Sequence, residues 1–283
     1  MRYRTFGPTG AQVSIIGQGT WEMEKDDRGS CIAALRRGLD AGMNHIDTAE
    51  MYGNGAVEEL VGEAIAGRRD EVFLVSKVLP DNASRHGTVT ACVRSLKRLR
   101  TDHLDVYLLH WPSTYPLDGT IAAFEELRAA GKIRAWGLSN FDTEELSEAL
   151  EIAKAAAQKI PACDQVYYQL KERAAEHAVL PFCEEHGSAA VAYSPLGSGS
   201  FPSPRSNGGR VLAQIAAAHA ATPHQVALAF LTRRPSSFAI PKTANPDHAA
   251  ANAAAGDLVL AAEEIRRIDE AFPRGPRRPL PVL

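Results

Sequence analysis

The chain has no C-x-x-C pair, no apolar run approaching the roughly 18 residues of a membrane-spanning helix, no G-x-G-x-x-G turn and no large excess of either charge. Each absence removes a class. A formal net charge of -3 over 283 residues gives no electrostatic footprint for nucleic acid or an anionic membrane, which leaves small molecules as the expected partners. The four cysteines, Cys31, Cys92, Cys163 and Cys183, stand far apart among mostly apolar neighbours, as reduced buried thiols do, and this suits a cytoplasmic protein. Residues 1–7 carry no long apolar segment, so neither secretion nor membrane insertion is expected. Cys183-x-x-His186 offers zinc-ligand types, but no second pair lies at suitable spacing and no metal is expected. Lacking a glycine-rich turn after its first strand, the chain is a poor candidate for a doubly wound dinucleotide-binding sheet. Oligomeric state leaves no readable mark.

What is present is alternation. From residue 15 onward, eight short apolar runs bounded by glycine, charge or proline alternate with longer amphipathic stretches: 15–20, 45–49, 72–78, 104–110, 133–140, 164–168, 189–195 and 238–242. Such alternation implies parallel strands joined by helices. Val89, Cys92, Val93 and Leu96 follow the i, i+3, i+4, i+7 rule, while Arg94, Lys97 and Arg98 take the other face as a solvated surface. Thr222-Pro223-His224-Gln225 supplies an N-cap, a proline at the first helical position and a capping-box glutamine, and Asn245-Pro246 repeats the start signal. Ahead of the first unit, residues 2–6 and 12–16 flank Gly7-Pro8-Thr9-Gly10, which reads as a hairpin placed to plug the N-terminal mouth. The expectation is an α/β fold, a (β/α)8 TIM barrel with an N-terminal β-hairpin, in a single domain over residues 1–283. In such barrels the chemistry sits at the C-terminal strand ends.

Those ends carry ionisable side chains. Asp47 lies within the second run and Tyr52 five residues on, just past its end, Lys77 lies near the end of the third, and His110 ends the fourth. Taken alone, Asp47 reads equally well as a helix cap and Tyr52 as a loop aromatic, and a lone histidine at a strand exit is more often structural than catalytic. Together they form a proton-transfer set. A lysine on an apolar strand is costly to bury unpaired, Asp47 is its natural partner, and an ammonium beside a phenol is expected to lower the phenol's pKa. That equipment hands a proton to a carbonyl oxygen. Tyr167-x-x-x-Lys171 matches the spacing of short-chain dehydrogenases, but without their glycine-rich turn it reads as chance.

Gly17-Gln18-Gly19-Thr20-Trp21, the segment 47–55 (DTAEMYGNG), Lys77, His110-Trp111-Pro112, the segment 137–141 (GLSNF) and the segment 192–197 (AYSPLG) follow one another in the order found in the aldo-keto reductases. The chain resembles that family over nearly its full length, and residues 168–176 (YQLKERAAE) are similar to a stretch common in its bacterial members. The resemblance implies a barrel that binds a nicotinamide dinucleotide in extended form and passes hydride to an aldehyde or ketone, a small-molecule carbonyl substrate. By it, Tyr52 is the general acid, acidified by Lys77, which Asp47 holds; His110 orients the carbonyl; and Trp21 and Trp111 wall the substrate pocket.

The same resemblance implies that Ser139, Asn140 and Gln165 hold the cofactor amide, with the Tyr193 ring on the nicotinamide and Gly19, Thr20, Ser194 and Leu196 along the cofactor. The loop over residues 196–209 is implied to fold across the pyrophosphate. Lys242 and Thr243, leading to a helix start whose free backbone N–H groups suit an anion, are implied to take a ribose 2'-phosphate. His248 stands where the family usually has arginine, Ala251 where it has glutamate, and Asn252 is retained. NADPH is the favoured cofactor, and NADH is possible. A rival reading within the same fold is a cofactor-sensing regulatory protein with little turnover.

Overall fold

The protein is described from a computed structural model over residues 1–282. Strands β1 (Tyr3–Thr5) and β2 (Gln12–Ser14) form an antiparallel hairpin. Eight parallel strands follow: β3 (Gln18–Gly19), β4 (His45–Asp47), β5 (Phe73–Val78), β6 (Leu104–Leu109), β7 (Ile133–Ser139), β8 (Cys163–Tyr167), β9 (Ala189–Tyr193) and β10 (Ser237–Ile240). They are hydrogen-bonded in chain order from β3 to β10. The seam then closes, with Gly17 N donating to Ala239 O at 2.8 Å and Gly19 N to Pro241 O at 3.1 Å. Closure this tight needs glycine at 19, because a Cβ there would stand 2.6 Å from the Ile240 carbonyl oxygen. Each of the eight expected runs overlaps one of these strands, with β8 and β10 starting one residue ahead of their runs, and the architecture is a (β/α)8 barrel.

The outer ring consists of α1 (Arg28–Asp40), α2 (Ala56–Ala64), α3 (Arg85–Leu99), α4 (Leu117–Ala129), α5 (Thr143–Ala155), α6 (Val179–His186), α7 (Asn207–Ala218), α8 (Pro223–Leu231), α9 (Pro246–Ala254) and α10 (Ala262–Ala271). Two are additions to the eight-fold pattern: α7 precedes α8 after β9, α10 follows α9, and the two pack together. The expected starts are formed. Thr222 Oγ1 accepts from Gln225 N at 3.3 Å while Thr222 N donates to Gln225 Oε1 at 2.7 Å, and Asn245 caps α9.

The hairpin stoppers the N-terminal mouth. Phe6, fully buried, places its ring 4.8 Å from Phe73 and 4.9 Å from Phe238, and edge-on to His45 at 5.6 Å. Gly7 turns with φ +49°, and a Cβ on it would meet the Ala162 carbonyl oxygen at 2.2 Å. Only glycine lets the hairpin seat this deeply.

Helix α3 corrects the sequence reading. Its inward face is Thr88, Ala91, Cys92, Ser95, Leu96 and Leu99, rotated from the expected stripe, and Val93 is 52% exposed. Small residues face the barrel because they let the helix approach. Nor is Arg98 merely solvated: its Nε donates at 2.6 Å to Glu58, a fully buried carboxylate that also accepts from Ser76 Oγ at 2.6 Å. A buried carboxylate needs such partners. All four cysteines are free and buried, and burial pushes the Cys92 thiol up to about 12. Among the described residues no helix is long and apolar enough to cross a membrane.

Candidate active site

The strand register brings the four sequence-selected residues to one rim. Residue 47 of β4 is level with Val75, and residue 77 of β5 with Leu108, so Asp47, Lys77 and the residue following β6, His110, converge. Lys77, fully buried, donates to Asp47 Oδ1 at 2.5 Å, to Thr48 O at 2.9 Å and to Tyr52 Oη at 3.2 Å. Three acceptors match the three N–H bonds of an ammonium. Because Lys77 donates to the phenol oxygen, Tyr52 keeps its own proton for a third party. Asp47 Oδ2 accepts from Gln165 Nε2 at 2.7 Å, so both carboxylate oxygens are engaged.

The electrostatics revise one expectation. The Tyr52 pKa is raised, because burial of the phenol outweighs the opposing pull of Lys77, and Asp47 adds to the rise. The ammonium limits the increase without reversing it. Lys77 itself stays charged: burial works against the ammonium, but the Asp47 charge and the Tyr52 oxygen hold its pKa above the ordinary value. Burial also raises Asp47, with Lys77 and Gln165 opposing. His110 is neutral, its pKa driven well below the ordinary imidazole value by burial and then by the Lys77 charge. Its ring stands edge-on to Tyr52 at 5.8 Å, and its buried Nδ1 has no hydrogen-bond partner.

A cavity of about 550 Å³ opens over this cluster. Its lining includes Trp21, Met51, Tyr52, His110, Trp111 and Val282, together with Ser139, Asn140, Gln165, Tyr193 and Lys242. Asn140 and Ser194, directly after β7 and β9, hold left-handed backbones (φ 63° and 47°), a conformation that persists in non-glycine residues only where the surroundings impose it. Asn140 Nδ2 donates to His110 O at 3.0 Å and to Ser139 Oγ at 3.2 Å, and Tyr193 Oη donates to Asn140 Oδ1 at 2.9 Å. Its amide therefore ties β6, β7 and β9 together. Gln165, with Nε2 on Asp47, links that group to the Asp47–Lys77–Tyr52 cluster.

Gly19, Thr20, Ser194 and Leu196 also line the cavity, whereas Thr243, His248 and Asn252 lie outside its lining. The free N–H groups expected at the start of α9 are not free: Asn245 Oδ1 accepts from Asp247 N at 2.8 Å and from His248 N at 3.3 Å, and Asn245 N donates to Thr243 Oγ1 at 3.0 Å. Lys242 is ion-paired with Asp26. Ser198 and Gly199, from the 196–209 loop, line the cavity, as do Met51, Glu22 and Val282, which the sequence reading did not name as site residues. Met51 adjoins Tyr52 and was discoverable; Val282 arrives through a folded-back tail that no local signal announces. The two decoys have ordinary uses. Lys171 donates to Ser200 O, and His186 Nδ1 lies 2.9 Å from Phe182 O.

The donor set fits a nicotinamide dinucleotide phosphate. Hydroxyl and amide groups cluster beside the proton-transfer residues, the Tyr193 ring adjoins them, and Lys242 is in the same lining. Comparison with known proteins agrees. The profile of the Aldo/keto reductase family matches residues 15–272. Methylglyoxal reductase YeaE of Escherichia coli is 42% identical over 263 residues, 92% of each chain. An aldo-keto reductase from Klebsiella pneumoniae, solved in complex with NADPH, superposes with a TM-score of 0.92 at 41% identity, covering 100% of this chain and 99% of that one. A second Klebsiella pneumoniae structure, with NADP and acetate, gives 0.92 at 40% identity and covers 100% of both chains.

Proposed function

The chain belongs to the aldo/keto reductase family, and from that premise we propose that Tyr52 protonates the carbonyl oxygen of a substrate held between His110 and the Trp21–Trp111 wall. The protein is an NADPH-dependent oxidoreductase that reduces an aldehyde or ketone to the alcohol. NADPH, when bound, supplies the hydride. Everything else falls to this chain's own residues.

Lys77 fixes the phenol by donating to its oxygen, which directs the phenolic proton away from the ammonium. As the proton leaves, phenolate charge develops 3.2 Å from Nζ, where a charged amine stabilises it. Asp47 keeps that amine charged, and Gln165 steadies Asp47 from its other oxygen. Neutral His110 can donate one hydrogen bond to the carbonyl without competing as a strong acid. Ser139, Asn140, Gln165 and Tyr193 would hold the nicotinamide end of the cofactor, and Lys242 its 2'-phosphate. The loop over residues 196–209, which brings Ser198 and Gly199 to the cavity, would cover the cofactor between them. Small reactive carbonyls are the expected substrates, with methylglyoxal, the compound in the name of the Escherichia coli relative, the first to try. Four buried free thiols suit a reducing cytoplasm.

The observation that carries this reading is the Lys77 ammonium with three acceptors, one of them the Tyr52 oxygen. A cofactor sensor needs no such oriented proton donor. The test is loss of NADPH absorbance with methylglyoxal and 4-nitrobenzaldehyde. Wild type should turn both over, and Tyr52→Phe should lose about 10²- to 10⁴-fold in kcat, the usual worth of a general acid, while NADPH binding read by tryptophan quenching persists. Substantial turnover by the variant would move the donor elsewhere.

A further inference from the structure

We propose that the Tyr193 hydroxyl positions His110: acting through the Asn140 amide, it fixes the backbone that aims the imidazole at the substrate carbonyl. The proposal rests on the reductase reading and adds a positioning role to two residues of the same site.

His110 lies one residue beyond β6, where the pairing of β6 with β7 has ended at Leu109 and Leu138. Its backbone is held from two sides. His110 N donates to Val78 O at 3.0 Å, continuing the ladder toward β5, whereas His110 O accepts from a side chain, Asn140 Nδ2, at 3.0 Å. The imidazole has no comparable hold of its own: its buried Nδ1 is without a partner, and Tyr52 at 5.8 Å and Trp111 at 4.9 Å offer it only ring contacts. Where the ring points therefore follows from where its backbone sits, and Asn140 sets one side of that.

Asn140 is fixed in turn. Its backbone is left-handed (φ 63°) and Asn140 N donates to Gln165 O at 2.9 Å, so the side chain leaves the chain in an imposed direction. An amide side chain has two N–H bonds and an oxygen with two lone pairs. Both N–H bonds are engaged, by His110 O and by Ser139 Oγ at 3.2 Å, and the oxygen takes the Tyr193 hydroxyl at 2.9 Å. A hydrogen bond received by the oxygen polarises the amide and strengthens those its N–H bonds give. Tyr193 ends β9, level with Tyr167 of β8, whose ring stacks on it at 5.7 Å and 23°. That backing holds the ring in place when the hydroxyl is removed, so ring and hydroxyl can be tested apart.

The separating variant is Tyr193→Phe, which keeps the ring a nicotinamide would stack on and deletes the donor to Asn140. With saturating NADPH and methylglyoxal, kcat should fall about threefold to tenfold, the range for one neutral hydrogen bond, while the NADPH dissociation constant from tryptophan quenching stays within about twofold. Asn140→Gly tolerates the left-handed backbone and removes the relay, so in that background Tyr193→Phe should lower kcat no further. A second readout needs no turnover. In substrate-free protein carrying carbon-labelled histidine, the His110 ring signal, identified by its loss in His110→Gln, should shift in Tyr193→Phe, and the signal of His45 at the opposite mouth should not. An unshifted His110 signal, wild-type kcat in Tyr193→Phe, a loss confined to NADPH affinity, or full additivity with Asn140→Gly would each overturn the relay. Turnover with the His110 signal unmoved rejects the relay alone, and a shifted signal without wild-type turnover rejects the reductase reading alone.

Discussion

Strand β4 carries two ionisable side chains two residues apart, His45 and Asp47, and both are buried. At the hairpin end, His45 sits among Phe6, Phe73 and Gly17 with neither ring nitrogen hydrogen-bonded. Burial, helped by the Lys77 charge, lowers its pKa to about 3, so it is neutral. At the open end, Asp47 has each carboxylate oxygen engaged, one by an ammonium and one by an amide. One short strand thus ends in discarded charge below and organised charge above. The lower mouth is closed for stability and the upper one is equipped for chemistry, as the fold's general division of labour requires.

Removing the upper charge should have the largest effect. Lys77→Met leaves Asp47 buried without its cation, and breaking such a pair typically costs about 3 to 5 kcal/mol, while the phenol loses the contact that aims its proton. We expect a fall in kcat comparable to that of Tyr52→Phe, together with a lower Tm. Adding Asp47→Asn should return much of the stability and none of the turnover. Recovery of both together would mean that the pair is structural, and the contrast between the two ends would collapse.

The lower end should show the opposite signature. His45 is neutral in the folded chain until about pH 3, whereas the unfolded chain binds that proton near pH 6.5. The stability tied to its neutrality is therefore complete above pH 6.5 and declines as pH falls toward 3, at about 1.4 kcal/mol per pH unit for one proton. Urea melts of His45→Leu at stepped pH should lack that slope, with carbonyl reduction retained. A variant as acid-sensitive as wild type would place the effect in other groups.

Smaller effects belong to the solvated rim. Asp26 pairs with Lys242, both about one-third exposed, and would compete with a 2'-phosphate for that lysine. Asp26→Asn should tighten NADPH a few-fold and leave NADH unchanged, as read by titration, in keeping with the modest worth of exposed pairs. His248 lies outside the cavity lining, so His248→Arg should strengthen NADPH binding least of all, by about twofold or threefold. A tenfold gain would show that residue 248 reaches the phosphate directly.

Legibility divides along the same line as packing. The strands could be read because burial on both faces requires continuous apolar runs, and the convergence of Asp47, Tyr52, Lys77 and His110 because a barrel puts strand exits together whatever the loops do. Three matters escaped. The direction of the Tyr52 shift depends on how much water the assembled walls exclude, which no neighbouring residue encodes. The inward face of α3 followed small residues and not the strongest apolar ones, and Arg98 was drawn inward by Glu58, forty positions away. The cap on α9 could be read from Asn245, but not the consequence that it occupies the N–H groups an anion would use.

The four sequestered thiols have a practical consequence for spectroscopy. A maleimide dye reacts with accessible thiolate, and Cys31, Cys92, Cys163 and Cys183 are all buried with pKa values raised by burial. A single engineered cysteine on exposed Arg205, in the loop that follows the cavity residues Ser198 and Gly199, would then take a fluorophore against a silent background, with no native cysteine to remove, and would report in real time how that loop responds when NADPH arrives.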